Sequence, residues 1–142
     1  MPKSHVTKRE SEAVAQFAVN VGKTLGLPSW TILVMEEPCS EDAYATIDTI
    51  EGRWVAQLSL CAEWMKLGSE KRRMVIVHEV CHLLHYDVNH VIEDAQHLMH
   101  DHEWADLNRR YKRATEYMVD HLAGFLDGHY DLQEEWERLH RK

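Results

Sequence analysis

Apolar residues recur at three-to-four spacing near the start of the chain, as Ala13, Val14, Phe17, Ala18, Val21 and Leu25, the period of a helix with one buried face. Thr7 with Glu10 three residues on has the form of a capping box, so a first helix is predicted over about residues 8–25 and is ended by Leu27-Pro28. The period then changes. Residues 30–35 form a near-continuous apolar run that stops near Pro38, read as a short strand covered on both sides. Segments 44–50 and 53–60 alternate and flank Glu51-Gly52, a pair suited to a tight hairpin. A two-residue loop sets 50 opposite 53 and 48 opposite 55. Ala45, Ile47, Thr49, Trp54, Ala56, Leu58 and Leu60 then share a face that packs on helices, while the other face meets solvent.

From residue 69 onward the pattern is helical. Ser69 reads as an N-cap with Glu70 at the positive end of a helix that closes around Tyr86-Asp87. Val88, Val91, Ile92, Ala95, Leu98 and Met99 form the next stripe. A longer one follows through Trp104, Leu107, Tyr111, Ala114, Met118, Leu122 and Phe125, and Asp131 with Glu134 opens a last helix through Leu139. The order predicts an α+β fold: an N-terminal helix, a small sheet of about three strands containing an antiparallel pair, and helices to the end. With 142 residues, 44% of them hydrophobic, and no repeat or linker, residues 1–142 read as a single domain.

Charge narrows the partners. A formal net charge of -8 argues against nucleic-acid binding through phosphate contacts, and the basic run at residues 109–113 reads as the solvated side of a helix. No apolar run approaches the ~20 residues of a membrane span, and the N-terminus does not resemble a cleaved signal. Cys39, Cys61 and Cys81 are odd in number and lack C-x-x-C spacing, which suits reduced thiols in a cytoplasm. Cys81 reads as a small buried hydrophobe.

The chemistry sits at residues 74–84, an aliphatic run into which His78, Glu79 and His82 are set. Buried without partners, an imidazole or a carboxylate costs several kcal/mol, so these residues need a reason to be there. On a helix, positions 78 and 82 project from one face and can converge on one ion, and Glu79 flanks that point. The alternative is a hydrogen-bonded core pair of histidines or a surface coincidence. Composition alone gives about 0.09 chance matches to the spacing, and the aliphatic surroundings are those of a buried site helix rather than a solvated face.

This H-E-x-x-H stretch resembles the zinc-binding helix of the zincin metallopeptidases, including minimal single-domain phage and bacterial members. The outline likeness spans residues 30–125 and is specific at 78–82. The resemblance implies Zn²⁺ held by His78 and His82, with Glu79 as general base in peptide hydrolysis. The metzincin branch needs a glycine and a third histidine where this chain has His85 and Val88, so that branch is excluded. In the gluzincin branch a later helix supplies a glutamate as third ligand and, four residues on, an aspartate that bonds a ligand histidine. Glu116 and Asp120 match that spacing.

Other readings stay open. Glu116 could belong to a surface ladder with Lys112 and Arg113, and Glu93, His97, His100, Asp101 and His102 compete as third ligand. His85, one further turn along the His78 face and about 10 Å from it, is expected to line the cleft. Strand 53–59 is the expected edge for an extended peptide or protein substrate, and Tyr111, Tyr117, His121 and Tyr130 are the candidates for oxyanion stabilisation. A zinc-stabilised module that binds peptides without cleaving them is the alternative function.

Overall fold

The computed structural model describes residues 6–27, 29–37, 39, 42–50 and 52–141. Helix α1, Lys8–Thr24, is capped by Thr7, whose hydroxyl accepts from the Glu10 amide at 3.1 Å. Only this half of the expected box forms. The Glu10 carboxylate turns instead towards His140 Nε2, 2.9 Å away. Gly26, at φ +79, ends the helix, with its amide bonded to Lys23 O and the next amide to Gly22 O. That left-handed close satisfies two carbonyls the helix would otherwise leave unpaired. Pro28, expected to share in the stop, lies outside the described residues.

Three strands follow, β1 (Thr31–Val34), β2 (Ala45–Thr49) and β3 (Val55–Leu60), in the sheet order β1-β3-β2. β3 is central, parallel to β1 and antiparallel to β2, so the sheet is mixed. Two expectations change as a result. β1 is an edge strand with one buried face: Ile32 is buried, while Leu33 is 47% exposed. β3 is paired on both sides, so the free edge beside the helices belongs to β2.

The hairpin register is displaced by two residues from the expected one, with Thr49 opposite Ala56 and Ile47 opposite Leu58. The Ile50 amide bonds Val55 O, so the turn spans four residues rather than two, with Gly52 at φ +73 and Glu51 outside the described residues. A shift of two preserves the side-chain alternation, and Ala45, Ala56, Leu58 and Leu60 are buried together as expected. Thr49 and Trp54 are the exceptions. Thr49, at the end of β2, is exposed, and Trp54, lying in the turn, is 53% exposed and packs edge-on against Trp30.

Beyond the short α2 (Ala62–Met65), helix α3 spans Ser69–Cys81. Gly68 is its N-cap, and the Ser69 hydroxyl instead accepts from the Trp136 indole at 2.9 Å. The α-helix stops at Cys81, earlier than expected, and runs through a 3-10 turn, His82–His85, into α4, Tyr86–Asp94. A second 3-10 turn, Ala95–Leu98, leads to α5 (Asp101–His129) and α6 (Leu132–Arg141). The core joins Phe17 and Val21 of α1, Leu58 and Leu60 of β3, Ile76, Val77 and Val80 of α3, and Trp136 of α6. No helix among the described residues is long and apolar enough to cross a membrane.

The buried face of α5 is Thr115, Val119, Ala123 and Leu126, one position round from the expected stripe; Met118 and Phe125 are each 52% exposed. Small side chains at the contact let α5 lie close against α3. Arg73, 4% exposed on α3, grips Asp127 of α5 through Nε at 2.8 Å and a second guanidinium nitrogen at 3.1 Å. Truncating one partner of such a pair leaves a buried charge alone, so Asp127→Ala should lower stability by about 3–5 kcal/mol in urea unfolding. The double variant Arg73→Met/Asp127→Leu should recover most of that loss.

The cysteines differ from expectation too. Cys39 and Cys61 form a disulfide with Cα atoms 4.7 Å apart, and Cys81 is free and buried. Sequence spacing hides the pair because the parallel β1-β3 ladder is what brings the ends of these strands together. The inference of a reducing compartment loses its ground. Burial pushes the Cys81 thiol up to about 12, which suits an inert core residue.

Candidate metal centre

Helix α3 turns Arg73, Ile76, Val77, Val80 and Cys81 into the core, and this fixes where its remaining side chains point. His78, Glu79 and His82 come to the border facing α5, with ligand atoms all within 4.8 Å of one another. The Nε2 atoms of His78 and His82 are 3.2 Å apart. From α5, Glu116 reaches both, with Oε2 3.2 Å from His78 Nε2 and Oε1 3.0 Å from His82 Nε2. One turn on, Asp120 Oδ1 lies 2.8 Å from His78 Nδ1. The structure thus brings together all five residues singled out in the sequence, and the surface ladder of Glu116 with Lys112 and Arg113 is not what forms.

These contacts fix where lone pairs point. A carboxylate at 2.8 Å from Nδ1 favours a proton there, so a neutral His78 presents its Nε2 lone pair inward. That nitrogen lies 3.2 Å from both the Glu116 carboxylate and the other imidazole, a cluster of donor atoms that a shared proton or a metal cation would hold together. Burial holds the His82 imidazole below its ordinary pKa, with Glu116 opposing the effect and His78 and His85 adding to it. Bonds of ~2.0–2.1 Å at tetrahedral angles put ligand atoms about 3.3–3.4 Å apart. The observed 3.0–3.2 Å separations are shorter than that spacing by a few tenths of an ångström, so a small outward movement of the three side chains would admit the ion. Two imidazoles and one carboxylate are also a donor set zinc accepts at sites that keep a fourth position open.

Glu79 stands apart from the three. Its Oε1 is 4.0 Å from His78 Nε2, and its side chain is 13% exposed. Desolvation, with Glu116 and Asp48 adding repulsion, pushes its carboxyl up to about 8. Asp48 lies on β2, and its charge acts on Glu79 of α3 across a strand-to-helix approach that local pattern does not encode.

Clefts flank the cluster. One, of about 740 Å³, lies against His78, Glu79 and Asp120 and extends to β2. Another, of about 370 Å³, lies between α4 and α5 against His82 and Glu116. Tyr111 lines the second cleft and its hydroxyl donates to Asn89. Glu93 lines the same cleft, whereas His100 caps the start of α5 and Asp101 and His102 lie in its first turn. Tyr117 instead lies under Arg113, His121 contacts Tyr117 O on the exposed side of α5, and Tyr130 caps its end. His85 is displaced from its expected place: in the 3-10 turn residues three apart eclipse, which aligns it with His82 rather than His78. Its Nε2 is buried with no hydrogen-bond partner among the described residues.

Compared with known proteins, the chain matches no family model, no curated protein and no solved structure, so the chemistry of this centre is read from its own side chains.

Proposed function

We propose that the chain is a zinc-dependent peptidase of gluzincin type, with His78, His82 and Glu116 as zinc ligands, Asp120 orienting His78 and Glu79 as general base. The observation that carries this reading is the three-way approach of His78, His82 and Glu116 at 3.0–3.2 Å. The buried carboxyl beside it supports the hydrolytic role. When bound, zinc supplies an acidified water with a pKa near ~7, a Lewis acid for a carbonyl oxygen, and positive charge that favours ionised Glu79. Glu79 takes the proton of the attacking water and delivers it to the leaving amine. Asp120 keeps the His78 ring in one tautomer and orientation, which maintains its donor lone pair towards Glu116 and His82.

The free edge of β2 supports an extended peptide as substrate, since among the described residues β2 pairs only with β3, and it borders the cleft of about 740 Å³. A strand added there gains main-chain hydrogen bonds while its alternate side chains point into the cleft. This edge replaces strand 53–59, which is closed on both sides.

The test is cleavage of an unstructured protein by the purified chain. We expect hydrolysis that a chelator abolishes and one equivalent of zinc restores. Chelator-insensitive cleavage would overturn the zinc mechanism. Tight zinc uptake without cleavage would leave a zinc-stabilised binding module.

A further inference from the structure

The cleft of about 740 Å³ beside His78 and Glu79 has two chemistries. Its buried lining is small or aliphatic, with Ala45 from β2 and Ala123 from α5 fully inside and Met74 and Val75 of α3 half-buried. Its exposed rim carries the carboxylates of Asp42 and Glu63, and among the described residues neither lysine nor arginine lines it. An acidic side chain would be repelled at that rim, and a wholly apolar one would leave the carboxylates without a counter-charge. A lysine or arginine fits both parts, laying its methylene stem along the aliphatic wall and keeping its head at the rim.

We infer that this cleft receives a lysine or arginine side chain of the bound peptide, next to the bond cleaved, so that the substrates are basic; the inference rests on the peptidase reading for the peptide itself. The carboxylates are available for that task. Asp42 makes no ion pair among the described residues. Glu63 meets Lys66 at 2.8 Å, but both side chains are more than half exposed, and such a pair is weak enough to exchange for a substrate cation. The far end of β2 has the same character. A cleft of about 330 Å³ there is lined by Asp48 and Glu93 and, among the described residues, again by no lysine or arginine. The net charge of -8 adds long-range attraction for a basic chain.

The experiment compares peptides identical except for lysine, norleucine or glutamate at one position, moved across the cleavage point. Norleucine keeps the stem and removes the charge. Two readouts are taken: kcat/KM with the zinc-loaded wild type, and Kd by fluorescence anisotropy with zinc-loaded Glu79→Gln protein. At one position lysine should exceed norleucine by about tenfold in both, with glutamate weakest. The preference should shrink in high salt and fall within about twofold when Asp42→Asn and Glu63→Gln are combined. Equal values for lysine and norleucine, or a preference untouched by the double substitution, overturn the cleft assignment; cleavage in that case leaves the peptidase reading intact. Charge-selective binding without cleavage by the wild type keeps the assignment and overturns the peptidase reading.

Discussion

Glu79→Gln protein should take up zinc as the wild type does and hydrolyse peptides about a thousandfold more slowly, with kcat carrying most of the loss. Removal of a positioned general base costs roughly 10²–10⁴-fold. Zinc uptake should survive because Glu79 Oε1 is 4.0 Å from His78 Nε2, whereas Glu116 approaches the two histidines at 3.2 and 3.0 Å. The same substitution has a second expected signature in the zinc-free protein. The folded-state carboxyl is raised from 4.5 to about 8, so between those pH values the folded chain holds a proton that the unfolded chain has released. Stability contributed by the neutral carboxyl is therefore present below about pH 4.5 and lost as pH rises through about 8. Gln has no such dependence. The variant should exceed the wild type in unfolding free energy above pH 8 by a few kcal/mol at most, with the gap closing towards acid pH. Unchanged kcat would remove Glu79 from the chemistry.

The largest effect on zinc affinity is expected at the three inner donors. His78→Ala, His82→Ala and Glu116→Ala should each weaken zinc binding by more than a hundredfold, and Asp120→Ala by about 10–100-fold, the range for a group that only orients a ligand. Glu116 and Asp120 have side chains 54% and 66% exposed, so their truncation leaves the core packing in place and the circular dichroism unchanged. Wild-type affinity in Glu116→Ala would assign the third ligand elsewhere, with Glu79, which lies within 4.8 Å of both histidines, the first candidate.

The element order and the α1 core face are legible in the chain because 3.6-residue and two-residue periods are local signals. His78, Glu79 and His82 are legible for a related reason: polar residues inside an aliphatic helix need a partner. Glu116 was found by analogy of spacing. Ala114 and Met118, members of the expected core-facing stripe, are exposed. Thr115, Val119 and Ala123 are buried instead, and with the helix turned that way Glu116 and Asp120 lie against His78. Apolar periodicity gave more weight to Met118 and Phe125 because it rewards bulk, whereas close helix packing rewards its absence. The two-residue slip of the hairpin, the central place of β3 and the Cys39–Cys61 disulfide all depend on pairing between distant strands, to which a linear pattern is blind. The switch to a 3-10 turn at His82, which realigns His85, has no breaker residue to announce it.

X-ray absorption at the zinc edge of the wild-type protein tests the inner donor set most directly. The account predicts one zinc per chain, with two imidazole nitrogens and one carboxylate oxygen in a shell at about 2.0–2.2 Å and no sulfur near about 2.3 Å. A protein that retains no zinc, or one whose zinc shows a sulfur shell or fewer than two imidazoles, would contradict it.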